Sequence, residues 1–385
     1  MITDSAPDNR LAVIRALEVL FREAPIARRQ LRRALGSSPS TVTEVVHELL
    51  DRGLIVEGGA LEPTAGRPAK VLELSSELGL VLTADVGAMN MRFGAGTIGG
   101  RLIARQVTPT PPVKDQHVLQ RGVMEGLEDV HHKAGAGQIR AVVLGIAAIV
   151  EDPYGGGLSM ATVPGWQKTN SNQLIVWLRE QFGKIPLMLE NEANLAAIGE
   201  RRLGSAQGAD DVLFVAVGAG VGIGLILGGS LYRGSRGGAG EIGLIRVATK
   251  DGIMELERAV GANALVSRYI EAGGGTETVE NIFLRAASAE PAASAAISEV
   301  LDELALAMAN AITLLDPARV VIGGGVAEAG GAFIDPLAER VSKLVDRMPT
   351  FVASELGADA ALVGGVTLAA EHAQSAIISE LQSTS

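Results

Sequence analysis

Three glycine-bearing stretches carry the chemistry that is easiest to read in this chain. Val217-Gly218-Ala219-Gly220-Val221-Gly222-Ile223-Gly224 follows the apolar run Phe214 to Val217, Asp85-Val86-Gly87 follows Leu80 to Ala84, and Gly323-Gly324-Gly325 follows Val320 to Ile322. Glycine at alternate places leaves one side of the backbone bare, so its N–H groups can meet a phosphate or another large polar ligand. One such loop equally suits a tightly packed sheet with no room for side chains. Three of them, each ending a buried strand in one α/β unit, point to a nucleotide- or sugar-shaped cleft, active or relict.

A second chemistry lies near the N-terminus. Arg28, Arg29, Arg32 and Arg33 fall in pairs four apart without an acidic neighbour, and Ser40, Thr41, Thr43, Glu44 and His47 share one polar face of the next segment. Arginines position a nucleic-acid backbone; hydroxyls and small polar groups reach base edges in the major groove. The elements around them fit that use. Leu11, Ile14, Leu17, Val19, Leu20 and Phe21 predict a helix, Pro25 breaks it, and a second helix from Ile26 to Leu35 stops at Gly36. Ser38 is placed to cap a third helix, Pro39 suits its first turn, and Val42, Val45, Val46, Leu49 and Leu50 form its apolar stripe. Leu54 to Glu57, a turn at Gly58-Gly59 and a strand from Val71 to Leu74 complete a winged helix-turn-helix, with Arg67 in a short basic arm suited to a minor groove. A helical protein-contact module shares the helices but needs neither the arginines nor the wing.

Beyond Leu80 the chain repeats one plan. Strand, glycine loop, strand, Gly-Gly hairpin and strand occur at Leu80 to Thr108, turning at Gly99-Gly100, and again from Phe214, turning at Gly228-Gly229. Two copies imply related halves facing each other across a cleft. Between them come helices at Gln116 to Ala134 and Ser171 to Phe182, strands at Val142 to Ile146 and Ile185 to Leu189, and a loop at Val163-Pro164-Gly165-Trp166. Glu190-Asn191-Glu192-Ala193-Asn194 opens a helix through Leu203; Asn263 to Ala272 and Pro291 to Leu315 are further helices, and Ala361 to Ala376 reads as a last strand, turn and helix. The expected units are 1–76, then 77–189 completed by a C-terminal helix at 365–385, then 190–364.

The totals narrow the class. The chain has 385 residues, 47% hydrophobic and 3% aromatic, with 48 glycines, as expected of a folded α/β protein of two or three domains. The absence of cysteine excludes disulfides and thiolate metal sites. No apolar run is long enough for a membrane span, so neither a membrane nor a leader is expected, and the location expected is the cytoplasm. A net charge of -11 argues against a protein that coats nucleic acid throughout, yet residues 1–70 are slightly basic, which leaves room for a small DNA reader on an acidic body.

Taken jointly, these motifs resemble the ROK family of repressors, open reading frames and sugar kinases. Asp85-Val86-Gly87 is similar to the family's first phosphate loop, Val217 to Gly224 to its second, Glu190 to Asn194 to its sugar motif, Glu241-Ile242-Gly243 to its Glu-x-Gly-His, and Ile322 to Gly325 to its adenosine-side loop. A winged helix followed by a Gly-Arg-Pro arm is the layout of the family's transcriptional repressors. The resemblance implies an α/β, actin-like (ribonuclease-H-like) two-lobed domain behind an α+β winged helix-turn-helix domain, and a homodimer or homotetramer.

The departures bear on function. Glu192 stands where the kinases have an aspartate as general base, and is one methylene longer; misplacement by about 1 Å costs ~100-fold in rate. Met89 and Ala219 replace phosphate-loop hydroxyls. Leu244 replaces the histidine of the zinc motif and the three cysteines are missing, so no metal is expected, and the segment from Ile245 to Ala259 must be held by packing of Ile253, Met254 and Leu256 or be mobile until ligand binds. Phosphoryl transfer depends on positioning and charge stabilisation, so these losses point away from catalysis. The reading is a DNA-binding transcriptional regulator, most simply a repressor, with no catalytic residue and no cofactor. Arg28, Arg29, Arg32, Ser40, Thr41, Thr43, Glu44, His47 and Arg67 would meet a double-stranded operator, in an inverted repeat if the protein pairs. Gly165, Asn191, Glu192 and Glu241 would meet a sugar or sugar-phosphate effector, with Trp166 at the rim. Asp85, Gly87, Gly218, Gly220, Gly222, Gly323, Gly324 and Gly325 would be relict nucleotide loops. The alternatives are an ATP-dependent sugar kinase that kept a DNA-binding appendage, and a regulator whose cleft binds nothing.

Overall fold

The computed structural model describes residues 6–60, 70–111, 116–154, 158–159, 171–218, 220–250, 252–325 and 330–383. Helix α1 (Ala6–Glu23) is followed by strand β1 (Ile26–Ala27), helix α2 (Arg28–Leu35) and helix α3 (Pro39–Asp51). Gly36 ends α2 in the left-handed region at φ 61°, where a side chain would be strained. Ser38 caps α3, its Oγ accepting from the Thr41 N–H at 3.2 Å, and Pro39 follows where no N–H is needed. Val42, Val45, Val46 and Leu49 are buried with Leu31 of α2 and Leu17 and Leu20 of α1. Each such side chain stabilises by about 1.5–3 kcal/mol, enough to fix three short helices that would not persist alone.

Strands β2 (Ile55–Ala60) and β3 (Lys70–Leu74) complete an antiparallel sheet in the order β1-β3-β2. Two expectations fail here. Ile26 is not helical but pairs with Leu72. Gly58 and Gly59 do not turn: they belong to β2, with a register shift between Gly58 and Ala60. Gly58 leaves the space that the Glu73 side chain occupies, so its glycine serves packing across the pair rather than reversal of the chain. The connection from β2 to β3, including Arg67, lies outside the described residues.

The next sheet comprises β4 (Leu80–Val86), β5 (Asn90–Thr97), β6 (Leu102–Pro109), β7 (Ile139–Ile146) and, past the small pair β8 (Ile149–Val150) and β9 (Leu158–Ser159), β10 (Leu187–Asn191). Its order is β10-β7-β4-β5-β6, parallel across the first three and antiparallel across the rest. All seven residues of β4 are buried, as befits a central strand covered on both faces. Helices α4 (Gln116–Lys133) and α5 (Ser171–Phe182) cover one of those faces.

After α6 (Glu192–Leu203) the plan recurs with β11 (Val212–Val217), β12 (Val221–Leu227) and β13 (Ser230–Leu231). A hairpin, β14 (Arg246–Thr249) and β15 (Gly252–Glu255), leads to helices α7 (Leu256–Val260), α8 (Ala262–Glu271), α9 (Val279–Ala287) and α10 (Pro291–Leu315). Strand β16 (Arg319–Gly323), α11 (Gly331–Ser342), β17 (Thr350–Ala353) and α12 (Ala360–Ser383) end the chain. The second sheet runs β13-β12-β11-β16-β17, again with two parallel and two antiparallel pairings. Both sheets therefore share one topology, as the repeated sequence plan implied. Gly228 and Gly229 turn the β12–β13 hairpin with φ of 56° and 76°, the two positive angles of a type I′ turn.

The expected strand at Ala361 does not exist. Ala361 to Gly365 lie in the first turns of α12, and the last strand is β17, ahead of it. Two glycines in these turns let α12 approach its neighbours: a side chain on Gly364 would overlap the Leu195 carbonyl of α6, and one on Gly365 would overlap Thr83 of β4. Helix α12 lies on the first sheet, against β4, β5 and β7, while α6 packs between α12 and strands β11 and β12 of the second. One hydrophobic cluster runs from Leu17 and Leu20 of α1 through Val81 and Val143 to Ala373 and Ile377 of α12. The Arg10 Nε also donates to the Leu381 carbonyl at 2.8 Å, so the N-terminal helices are seated on the C-terminal one.

Candidate functional site

The start of α6 is built to hold one carboxylate at a fixed place. Asn191 ends β10 and caps α6, its Oδ1 accepting from the N–H groups of Ala193 at 2.8 Å and Asn194 at 3.2 Å, while its Nδ2 donates to the Ala148 carbonyl at 3.2 Å. Glu190, 1% exposed, accepts from Arg233 at 2.6 Å and from the Asn194 side chain at 2.9 Å. Glu192 follows as the first residue of the helix. Its Oε2 is buried and has no hydrogen-bond partner among the described residues. Asn191, expected to face an effector, instead spends its side chain on positioning this residue.

Three further carboxylates act on Glu192: Asp85 at the end of β4, Glu241, and Glu257 in α7. Burial pushes the Glu192 carboxyl up to about 8, helped by the negative charge of these three and opposed by its own backbone N–H. Burial likewise raises Asp85 to about 6 against the pull of Arg92, which lies 3.6 Å away. Glu241 is raised by burial and then by Glu257. At neutral pH Glu192 is therefore mostly protonated and able to donate a hydrogen bond to a ligand. A protonated acid beside further carboxyl groups offers a donor and several acceptors, a set that matches sugar hydroxyls. Glu257 was not legible as a site residue. Its trace in the sequence is Gly220, whose side chain would overlap the Glu257 carboxylate, and that carboxylate accepts from the Val221 N–H at 3.4 Å.

The glycines expected to cradle phosphate divide into two kinds. Gly222 and Gly224 are strand residues of β12 that admit α6, since a side chain on Gly222 would press on Ala193 and one on Gly224 would overlap its carbonyl. Gly323 is filled by the Phe214 ring, and Gly324, at φ 79°, abuts the Val217 backbone. Packing explains these four. Gly218 and Gly325 are open, lie close to each other and line a cavity that Met89 also lines; the Gly87 N–H is bonded to the Asn90 carbonyl at 3.1 Å. Met89 is 79% exposed beside that loop and offers no hydrogen bond to a phosphoryl oxygen. Ala219, Gly165 and Trp166 lie outside the described residues.

The segment after Glu241 folds without a metal motif. Leu256 is fully buried and Met254 packs on the second core, as expected, but Ile253 is 77% exposed and contributes no packing. The β14–β15 hairpin holds its place by backbone pairing instead, Val247 opposite Met254. Among the described residues no group of three or more His, Asp or Glu side chains could hold a metal ion. With Leu244 in place of a histidine and no cysteine anywhere, these residues do not fit structural zinc.

On the N-terminal helices Arg29, Arg32 and Arg33 are exposed, as are Ser40, Thr43, Glu44 and His47 of α3, with Thr41 half-buried. Arg28 is not free: its guanidinium bonds Glu57 of β2 at 2.6 Å, and Glu57 also takes Lys70 at 2.8 Å. Thr43 turns its hydroxyl to the Pro39 carbonyl at 2.9 Å, and Ser40 shares its hydroxyl with Ser38 at 2.8 Å. Among the described residues no helix is long and apolar enough to cross a membrane.

Two sheets of one topology, joined by α6 and α12 around a cleft that gathers Asp85, Glu192, Glu241 and Glu257, define an actin-like fold of the kind shared by sugar kinases and repressors. The chain belongs to the ROK family, whose model matches residues 81–372. It is 26% identical over 356 residues to a protein named putative xylose repressor from Caldicellulosiruptor sp. (strain Rt8B.4), covering 87% of each chain. Among solved structures it is similar to a ROK glucokinase from Streptomyces griseus in complex with glucose and AMPPNP, at 26% identity and a TM-score of 0.65, over 76% of this chain and 100% of that one. A ROK transcriptional regulator described as a homolog of the E. coli MLC protein shares the fold over 97% of this chain and 98% of its own, at 19% identity and a TM-score of 0.75.

Proposed function

We propose that this protein is a DNA-binding transcriptional regulator, most simply a repressor. On this reading residues 1–76 form a winged helix-turn-helix reader, and the two halves behind it, 77–189 with the end of α12 and 190–364, bind a sugar-like effector and pair the subunits. The observation that carries it is α3. This helix buries Val42, Val45, Val46 and Leu49 and leaves Ser40, Thr43, Glu44 and His47 exposed, beside the exposed Arg29, Arg32 and Arg33 of α2. A polar helix face next to exposed cations suits a major groove, with the arginines on the phosphates. The named xylose repressor among the relatives supports the same reading. Effector closing on Glu192, Glu241 and Asp85 would shift α6, and with it α12 and the seated reader, so that DNA affinity changes with cleft closure. A gel-shift titration tests this: the purified protein binds its own upstream region far more tightly than random duplex at physiological salt, and equal binding to both refutes it.

A second reading, an ATP-dependent sugar kinase, draws on one observation, the unpartnered Oε2 of Glu192 at the head of α6. Against it stands Met89, exposed beside the first glycine loop, which offers no hydroxyl to a phosphoryl oxygen. Release of ADP in the presence of hexoses or N-acetylhexosamines, abolished by Glu192→Ala, would favour the kinase.

A further inference from the structure

We infer that the cavity walled by α8, α9, α10 and α11, beside the glycines Gly218 and Gly325, binds an uncharged aromatic molecule and not a nucleoside triphosphate. The cavity measures about 690 Å³, within the range of about 300–1,000 Å³ usual for small-molecule sites. Leu265, Phe283, Ile297, Val300 and Phe333 make its walls, and the Phe283 and Phe333 rings meet edge to face with centroids 6.0 Å apart. Such walls favour a flat apolar ring system, which gains both burial and ring-edge contacts.

A triphosphate does not fit this lining. Among the described residues no Lys, Arg, Ser, Thr or Asn lines the cavity, and the one charged residue that does is Glu280 at the start of α9. Glu280 stays ionised, its own backbone N–H and the Thr278 hydroxyl holding it below the usual carboxylate range. The described residues of the glycine loops that line it, Val217, Gly218 and Gly325, carry no hydroxyl or cationic side chain either. A triphosphate there would meet the Glu280 carboxylate and, among the described residues, no cationic side chain. A neutral ring bearing one hydroxyl would satisfy Glu280 as acceptor.

Met89 gives the site a consequence. It reaches the cavity from the loop after β4, whereas the walls belong to the second half. A ligand in contact with both sides favours the closed cleft.

The test is a fluorescence titration of the full chain, without DNA, so that its outcome stands apart from the regulator reading. The probe is 2-naphthol, with naphthalene, adenosine and MgATP as the other arms. Expected is saturable one-to-one binding of 2-naphthol that MgATP does not displace. Ala287→Trp, which fills the cavity mouth on the exposed side of α9, weakens it at least tenfold. Glu280→Gln weakens 2-naphthol several-fold but leaves naphthalene unchanged. Met89→Ala, on an exposed loop, lowers affinity a few-fold and keeps the test open should tryptophan disturb α9. Adenosine binding without MgATP binding supports the inference. MgATP binding as tightly as 2-naphthol overturns it, as does 2-naphthol binding that neither Ala287→Trp nor Met89→Ala changes.

Discussion

Gly364 of α12 lies against Leu195 of α6 with no space for a side chain between them, and Gly199 of α6 is in the same relation to the Ala360 carbonyl. Two helices that carry, respectively, Glu192 at one end and the seat of the N-terminal helices along their length thus meet backbone to backbone. Contacts this close have few alternative arrangements, so movement of one helix moves the other.

The first prediction follows from that close approach. Gly364→Ala puts a methyl group into the Leu195 carbonyl, where neither backbone can yield cheaply. Destabilisation of about 1–3 kcal/mol or more is expected, read as a lower urea midpoint. Gly183→Ala, at a site with nothing within 4 Å but a φ of 60°, is the control for strain without overlap and should cost less.

Glu192 predicts a pH dependence. Its folded carboxyl titrates at about 8 against 4.5 when unfolded, so the folded state binds more protons between those values. Stability from this group is therefore fully present below about 4.5 and falls as pH rises through 8. Glu192→Gln removes that decline, and its melting temperature should exceed that of the parent at pH 9 and approach it at pH 5. A pH-independent difference would contradict the assignment.

The exposed arginines and the exposed face of α3 are predicted to differ in kind. Arg32→Ala should weaken all duplexes alike and make log affinity less steep against log salt, by about 1 in slope for each phosphate that the arginine neutralises. Thr43→Ala should leave that slope unchanged and alter base preference. Arg28→Ala, by contrast, should act through stability of the β2 edge, since its guanidinium is held by Glu57.

What could be read in advance was mostly what local chemistry decides. Ser38, Pro39 and the stripe from Val42 to Leu49 specify α3 without outside help, and the Gly228-Gly229 turn specifies its hairpin. The duplicated strand plan was legible because each copy carries its own apolar runs. What tertiary contact decides was not. The segment from Ala361 was misread as strand and turn because nothing in it shows that α6 and β4 press on Gly364 and Gly365, and Gly58 was misread for the same reason with Glu73. Glu192 was legible as a site residue and Glu257 was not, since the latter joins the cluster only through the fold.

The core of the reader gives a fourth prediction. Leu49→Ala removes a fully buried side chain from α3 and should cost about 2–5 kcal/mol there. Specific DNA binding should disappear while circular dichroism retains most of its helix signal, because α6, α10 and α12 lie elsewhere.

A footprint of the protein across its own genome tests the central claim most directly. The account predicts discrete sites with an inverted repeat, abolished by Leu49→Ala, moved to other sequences by Thr43→Ala and shifted in occupancy by the effector. Uniform or absent occupancy, together with brisk ADP release on a hexose, would contradict it.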